Sequence, residues 1–441
     1  METLNELEIS LSERHTHLLK SGVVSTYGPY LAKEDLATHA APEFLTLRDW
    51  WDVLKIQRLL GRRECGLKDR QGYPFTLGSI EFFAEIIHNL DRMGRGESVI
   101  EVGESTAHAG DRLRLEHLKV VAMRDEAMAS AELDGAVINP VAAHDLLRSG
   151  RKPRDRNERQ VVNVHHVMQR IAEIRTQPLT LSLLADLHQR LIADTVVKPS
   201  LANRLRREDK GASASQEFNQ PHVKFEPPAA AELPVRLKLM LAFANGHAPE
   251  KFVHPLLRAA ALHFWVLHDQ PFTEGNGRLA RALYYWSVLN AGYEFYECLA
   301  PSMALRDSPA AYRHAFDQVL ADDNDLMYFV AHQFGAVAKA QRRMRDEVGR
   351  WDDELQATEK LTDAGELNDR QKLLIARALR EPSMRRTLQE HARDHNLARQ
   401  TARNDFAPLV KNGWFEEVKV GKALTFFPVA DLAGRLGGAM N

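Results

Sequence analysis

Gln270-Pro271-Phe272-Thr273-Glu274-Gly275-Asn276-Gly277-Arg278-Leu279-Ala280-Arg281 is the stretch on which the reading of this sequence turns. An asparagine between two glycines stands just before a run of helical periodicity at 277–291. Such a turn aims backbone N–H groups at an anion, because a helix N-terminus carries unsatisfied donors and the positive end of the dipole. Arg278 and Arg281, three apart, emerge on one helix face, where two guanidiniums can neutralise a polyphosphate. Glu274 adds a hard oxygen ligand at the same mouth, suited to the magnesium ion that accompanies nucleotide phosphates. Taken alone, the same residues also fit a plain turn followed by a surface salt bridge.

The flanking sequence favours the first alternative. The whole string resembles the signature of the Fic family, His-Pro-Phe-x-Asp/Glu-Gly-Asn-Gly-Arg-x-x-Arg, at every position but the first. His254-Pro255-Leu256-Leu257-Arg258-Ala259-Ala260 with His263 resembles the helix preceding that signature, Leu183 to Leu191 with His188 an earlier helix, and Val223 to Pro228 a short extended flap. The resemblance covers about residues 120–345. It implies an all-helical fold that binds ATP and transfers AMP to a hydroxyl side chain of a target protein. Carried over by position, Glu274 would hold Mg2+, Gly275, Asn276, Gly277 and Arg278 would bind the α- and β-phosphates, and Arg281 would meet the γ-phosphate. The flap, with Val223 and Phe225, would pin a target segment by strand pairing.

The departure is Gln270, where the family has the histidine that serves as general base. An amide is not basic at physiological pH, so it cannot take the proton of an attacking hydroxyl. Losing a general base lowers a rate by about 10²- to 10⁴-fold. AMP transfer is therefore expected to be weak or lost, with nucleotide binding retained. His268 is a poor substitute, because two residues along a helix is about 200° of rotation. A glutamine can orient a water, as in GTPases, which makes hydrolysis of a phosphodiester a minor alternative.

Ser130-Ala131-Glu132-Leu133-Asp134-Gly135 closes a helix expected over about 116–135 and resembles the family's inhibitory motif, Ser/Thr-x-x-x-Glu-Gly/Asn. There the glutamate pairs with the second signature arginine and displaces the γ-phosphate. Asp134 replaces it. Ser130 and Asp134 share a face, but aspartate is one methylene shorter, so its reach to Arg281 is in question and inhibition is expected to be weak. Glu132 sits on another face.

Around this centre the chain has 441 residues, 44% hydrophobic and 27% charged, with a formal charge of -2. These values indicate a globular chain of roughly three domains and no global field for DNA or an anionic membrane. Cys65 and Cys298 form no metal or disulfide framework, the start lacks a secretory signal, and no apolar run is long enough to span a membrane, so a cytoplasmic protein is expected. Residues 1–110 read as a mostly helical region of unknown role, 111–345 as the Fic domain including the inhibitory helix, and 346–366 as a linker. Residues 367–437 read as three helices and a hairpin around Gly421-Lys422, resembling a winged helix-turn-helix. The fold class is thus mainly α, with a small β flap and a winged C-terminal unit. From Leu367 to Phe427 twelve Lys/Arg stand against seven Asp/Glu, a local excess of five that favours phosphate contacts. Arg399, Gln400, Thr401 and Arg403 would open the recognition helix, and Lys419 and Lys422 would sit on the wing. A non-catalytic, nucleotide-responsive DNA-binding regulator is the alternative function. Winged units also serve as protein contacts, including homodimers.

Overall fold

The computed structural model describes residues 30–38, 46–79, 83–94, 109–196, 204–207, 225–249, 251–361, 367–380, 384–420 and 423–438. Val223 and Lys422 lie outside them. Short helices α1 (Lys33–Leu36) and α2 (Leu47–Leu60) come first. α2 starts on a capping box in which Thr46 Oγ1 accepts from the Asp49 N–H and the Asp49 carboxylate accepts from the Thr46 N–H. Strands β1 (Arg63–Lys68) and β2 (Pro74–Leu77) pair as an antiparallel hairpin inside the region expected to be mostly helical. Helix α3 is Ala84–Gly94.

The main body follows. Helix α4 (Ala109–Leu133) ends where Gly135, at φ 88°, takes the left-handed conformation. The Ala136 N–H donates to Ala131 O at 3.0 Å and the Gly135 N–H to Glu132 O at 2.9 Å, a Schellman turn that fixes Asp134 as the helix cap. Next come α5 (Pro140–Ser149), α6 (Arg156–Ile174), α7 (Leu181–Ile192), α8 (Leu233–Ala244), α9 (Pro255–Asp269) and α10 (Asn276–Asn290). Every residue of α9 from Ala259 to Asp269 and of α10 from Gly277 to Leu289 is buried. Helices buried all round lie at the centre of a domain. Fully buried Trp265 and Phe264 each contribute about 2–3 kcal/mol of apolar transfer there.

Helices α11 (Pro301–Asp307), α12 (Pro309–Ala321) and α13 (Met327–Leu361) close the body. The helical pattern of the sequence runs without a break over 308–345 and on its own predicts one helix there. That helix is interrupted where Asp323 and Asn324 adopt φ 54° and 55°. Conversely, α13 runs on to Leu361, so residues 346–361 of the expected linker are helix.

The C-terminal unit comprises α14 (Asp369–Arg380), β3 (Arg386–Thr387), α15 (Leu388–Asp394), α16 (Arg399–Lys411), β4 (Phe415–Val420), β5 (Ala423–Pro428) and α17 (Leu432–Gly438). Its three strands lie antiparallel in the order β3-β5-β4. It has its own core, in which Phe406 stacks on Phe426 with centroids 3.9 Å apart. Pro408 is accommodated inside α16.

Candidate functional site

The site is the turn between α9 and α10. Gln270 caps α9 in the left-handed region, φ 42° and ψ 61°, with its N–H on Val266 O at 3.0 Å. Such a backbone is strained for a non-glycine residue, so neighbours must hold it. Arg206 does much of this. Its Nε donates to Gln270 O at 2.9 Å and its Nη2 to Asp269 O at 3.2 Å and to Pro228 O, while its own N–H donates to Pro271 O at 3.0 Å. One buried guanidinium thereby ties the end of the flap to the loop.

Asp269 anchors the loop from the other side. Its carboxylate accepts from Arg236 Nε and Nη2 at 3.0 and 2.7 Å, from Trp265 Nε1 at 3.0 Å and from His268 Nδ1 at 2.9 Å. Burial alone would raise its pKa, but the His268 and Arg236 contacts outweigh this and hold it below the usual carboxylate range. His268 is committed to that carboxylate, and its ring packs among Phe75, Phe225 and Phe264. Phe225 of the flap also meets Phe316. Phe75 belongs to β2, and Arg236 Nη2 donates to Lys68 O, so the N-terminal hairpin buttresses the loop.

Within the loop the Asn276 side chain accepts from the Phe272 N–H at 3.0 Å and donates to Phe272 O at 2.7 Å. Its amide is thus used to close the turn, and what it offers a ligand is its backbone N–H at the start of α10. His188 Nε2–H donates to Glu274 O at 2.9 Å while its ring stacks 3.6 Å from Phe272. Gly275 sits at φ 79°, and a Cβ there would stand 2.7 Å from Ile192 Cγ2, which restricts the position to glycine.

Arg278 and Arg281 point inward from the first turns of α10, 4% and 2% exposed. Both meet Asp134: Arg278 Nε donates to Oδ2 at 2.8 Å and Arg281 Nη2 to Oδ1 at 3.0 Å. Arg278 Nη1 also donates to Leu191 O at 2.9 Å, and Arg281 to Ser130 Oγ and O at 2.8 and 2.7 Å. The shorter aspartate does span the gap, because the Schellman turn brings the backbone close and Gly277 offers no side chain. A Cβ on Gly277 would lie 2.5 Å from Asp134 Oδ1. Burial would raise the Asp134 pKa, and the charges and hydrogen bonds of the two arginines override it and hold the group ionised. An anion therefore already stands against the first turn of α10. A cavity lined by Arg281, Glu126 and Ser302 measures about 10 Å³, room for a single water.

Glu132 turns elsewhere and pairs with Arg306 at 2.9 Å. Glu274 is a quarter exposed, with Arg156 Nη2 4.0 Å from its carboxylate. Among the described residues no cluster of three His, Cys, Asp or Glu could hold a metal. A lone carboxylate fits a magnesium ion whose other ligands come from phosphate and water, and no other arrangement. In the C-terminal unit Arg399, Gln400, Arg403 and Lys419 are exposed and Thr401 is half-buried. Sequence reasoning missed Arg206, Arg236 and Asp269. Arg206 lies in a polar stretch with no period, whereas Arg236 and Asp269 lie on helices whose apolar pattern marks the core and not their partners, and only the fold brings the three together.

Residues 178–287 match the model of the Fic/DOC family. The chain is 29% identical over 119 residues to a protein adenylyltransferase Fic of Nematostella vectensis, covering 27% of this chain and 25% of that one. It is 27% identical over 152 residues to a protein adenylyltransferase Fic of Drosophila virilis, covering 34% and 27%. The match spans about a quarter of the length of these curated relatives. A crystal structure of a Fic family protein from Desulfovibrio desulfuricans G20 aligns with TM-score 0.47 and 17% identity over 79% of this chain and 96% of that one. The buried loop, its two arginines and most of the helix they open fall inside the segment that matches the Fic/DOC family.

Proposed function

We infer that this protein binds ATP in the manner of a protein adenylyltransferase, that Asp134 is a clamp competing with the nucleotide's phosphates, and that AMP transfer is weak. The observation that carries this is the Asp134 carboxylate seated on both Arg278 and Arg281 at the head of α10, where a phosphate oxygen would take the same donors. Ser130 holds Arg281 in register for either anion. With the nucleotide bound, the backbone of Gly275, Asn276 and Gly277 would line its phosphates, and Glu274 would hold magnesium brought with it.

In AMP transfer a target hydroxyl attacks the α-phosphorus, the bond to the bridging oxygen breaks, and pyrophosphate leaves with the electron pair. The hydroxyl proton must go to a base. Gln270 stands at the family's base position and cannot accept it. Calorimetry with ATP and Mg2+ tests the pocket: the natural chain should bind and Arg278→Ala should not. Labelling from α-phosphate-labelled ATP tests the chemistry, with Gln270→His as the gain-of-function comparison.

A second reading is favoured by the exposed Arg399, Gln400 and Arg403 at the start of α16. The C-terminal unit would be a winged helix-turn-helix that contacts DNA, and the chain a nucleotide-responsive regulator rather than an enzyme. A gel shift at low salt that vanishes in an Arg399→Ala, Arg403→Ala double variant supports it, and no shift at low salt removes it.

A further inference from the structure

The helix that delivers the clamp is also gripped by the C-terminal unit. Arg124 Nη2 on α4 donates to Asp394 Oδ1 at 2.6 Å, and Arg386 Nη2 pairs with Asp394 Oδ2 at 2.7 Å. All three side chains are buried. Close by, the rings of His117 and His395 stack 6.3 Å apart, and Asn396 Nδ2 donates to Glu116 Oε2 at 3.4 Å. Arg393 Nη1 donates to Arg148 O at the end of α5. It fits there because Gly150 has no side chain: a Cβ would stand 2.6 Å from that nitrogen.

His117 and Arg124 are seven residues apart and share a face of α4, whereas Ser130 is about 240° further round. The helix is therefore held by the C-terminal unit on one side and faces the arginine pair on the other. Arg124 and Asp134 are separated by ten residues, about 15 Å of helix.

The grip is poorly explained as a source of stability. Two guanidiniums share one carboxylate, and Arg124 Nε, Arg386 Nε and Arg386 Nη1 have no hydrogen-bond partner among the described residues. Burial pushes the Arg386 guanidinium down to about 10. A buried ionic network satisfied only in part adds little net stability, and the C-terminal unit already has an apolar core of its own.

The geometry points to a regulatory coupling: through Arg124, Asp394 and Arg386 the C-terminal unit holds α4 where Asp134 blocks the arginine pair, so the state of that unit sets nucleotide affinity. The inference rests on the clamp reading proposed above. Grip and closed clamp occur together in this structure, so releasing the first favours opening of the second. By linkage, a nucleotide that displaces Asp134 loosens the C-terminal unit by the same factor.

The test is a double-mutant cycle in the full chain, read by calorimetry with magnesium ATP. Arg124→Met removes the grip and leaves Asp394 paired one to one with Arg386. Expected results are that Arg124→Met raises ATP affinity at least about fivefold, that Asp134→Ala raises it more, and that the double variant binds no tighter than Asp134→Ala alone. Unchanged affinity in Arg124→Met, or a gain that persists in full on the Asp134→Ala background, overturns the coupling while leaving the clamp intact. An Asp134→Ala chain that binds no tighter than the natural one shows instead that the clamp reading has failed, and the coupling with it. Should Arg124→Met not fold, Asp394→Asn weakens the same contact from the other side and is judged by the same outcomes.

Discussion

Replacing Asp134 by alanine is the perturbation most directly read from the structure. The carboxylate makes charge-assisted hydrogen bonds of 2.8 and 3.0 Å to two guanidiniums that are almost wholly buried. Removing one partner of a buried ion pair costs about 3–5 kcal/mol, largely because the remaining charge is uncompensated. In the unliganded Asp134→Ala chain that cost falls on stability. In the natural chain it opposes the nucleotide, whose phosphates must displace the carboxylate. The gain in affinity is therefore capped at about 10²- to 4 × 10³-fold at 1.4 kcal/mol per decade. A value near the lower end is expected, because Arg281 keeps its bonds to Ser130 and Arg278 its bond to Leu191 O. Calorimetry gives the affinity directly. A thermal melt should show the variant destabilised without ligand and recovering on ATP, by about 2.7 kcal/mol at a hundred times the Kd. Asp134→Ala binding ATP within twofold of the natural chain would refute the reasoning.

Gln270→His should raise transfer of label from α-phosphate-labelled ATP by about 10²- to 10⁴-fold, since Arg206 and Asp269 hold the backbone whatever the side chain; a silent variant means the rest of the site is not assembled for transfer. Acidification from pH 6.5 to 5 should lower stability. Burial, helped by neighbouring charges, pushes His395 down to about 2, His165 to about 3 and His332 to about 4. The unfolded chain then binds more protons below its ordinary histidine pKa of about 6.5, so stability falls through this window by about 2 kcal/mol for each such group. Asp134, whose pKa is depressed, gives up its contribution only at lower pH. Urea midpoints at pH 7 and pH 5 check this, and equal midpoints contradict it. For the C-terminal unit, the Arg399→Ala, Arg403→Ala variant should reduce the log–log salt slope of duplex DNA binding by about 2, and an unchanged slope places the phosphate contacts elsewhere.

Much of this was legible in the sequence because local chemistry decided it. Gly135 ends α4 and Gly275 opens α10 in left-handed conformations that few other residues accept. The mostly apolar run of α9, interrupted by Arg258 and His263, marks a central helix, and the C-terminal helices and strands follow their periodicities. What was not legible depended on tertiary contact. Arg206 lies in a polar stretch with no period, and its value comes from collecting carbonyls from Asp269, Gln270 and Pro228. The reach of Asp134 was judged from side-chain length, whereas the end of α4 and the bare Cα of Gly277 decided it. The break between α12 and α13 did carry a signal, the run Asp322-Asp323-Asn324, whose residue types tolerate the left-handed region and favour turns. The β1–β2 hairpin, short and irregular in register, gave too little alternation to be read.

Binding and chemistry separate in space as well as in logic. Asp134 acts on Arg278 and Arg281 at the head of α10, while Gln270 caps α9 and is held through its backbone by Arg206. Among the described residues they share no hydrogen-bond partner, and sites without shared partners have nearly additive effects. A substitution at Asp134 should therefore change how tightly nucleotide is held and leave proton removal as it was, while one at Gln270 should do the reverse. The weakness expected of this protein as an enzyme is accordingly not evidence against nucleotide control. An amide at position 270 removes a base without touching the guanidiniums, and the ion pairs that close the site need no catalysis to be opened by a phosphate.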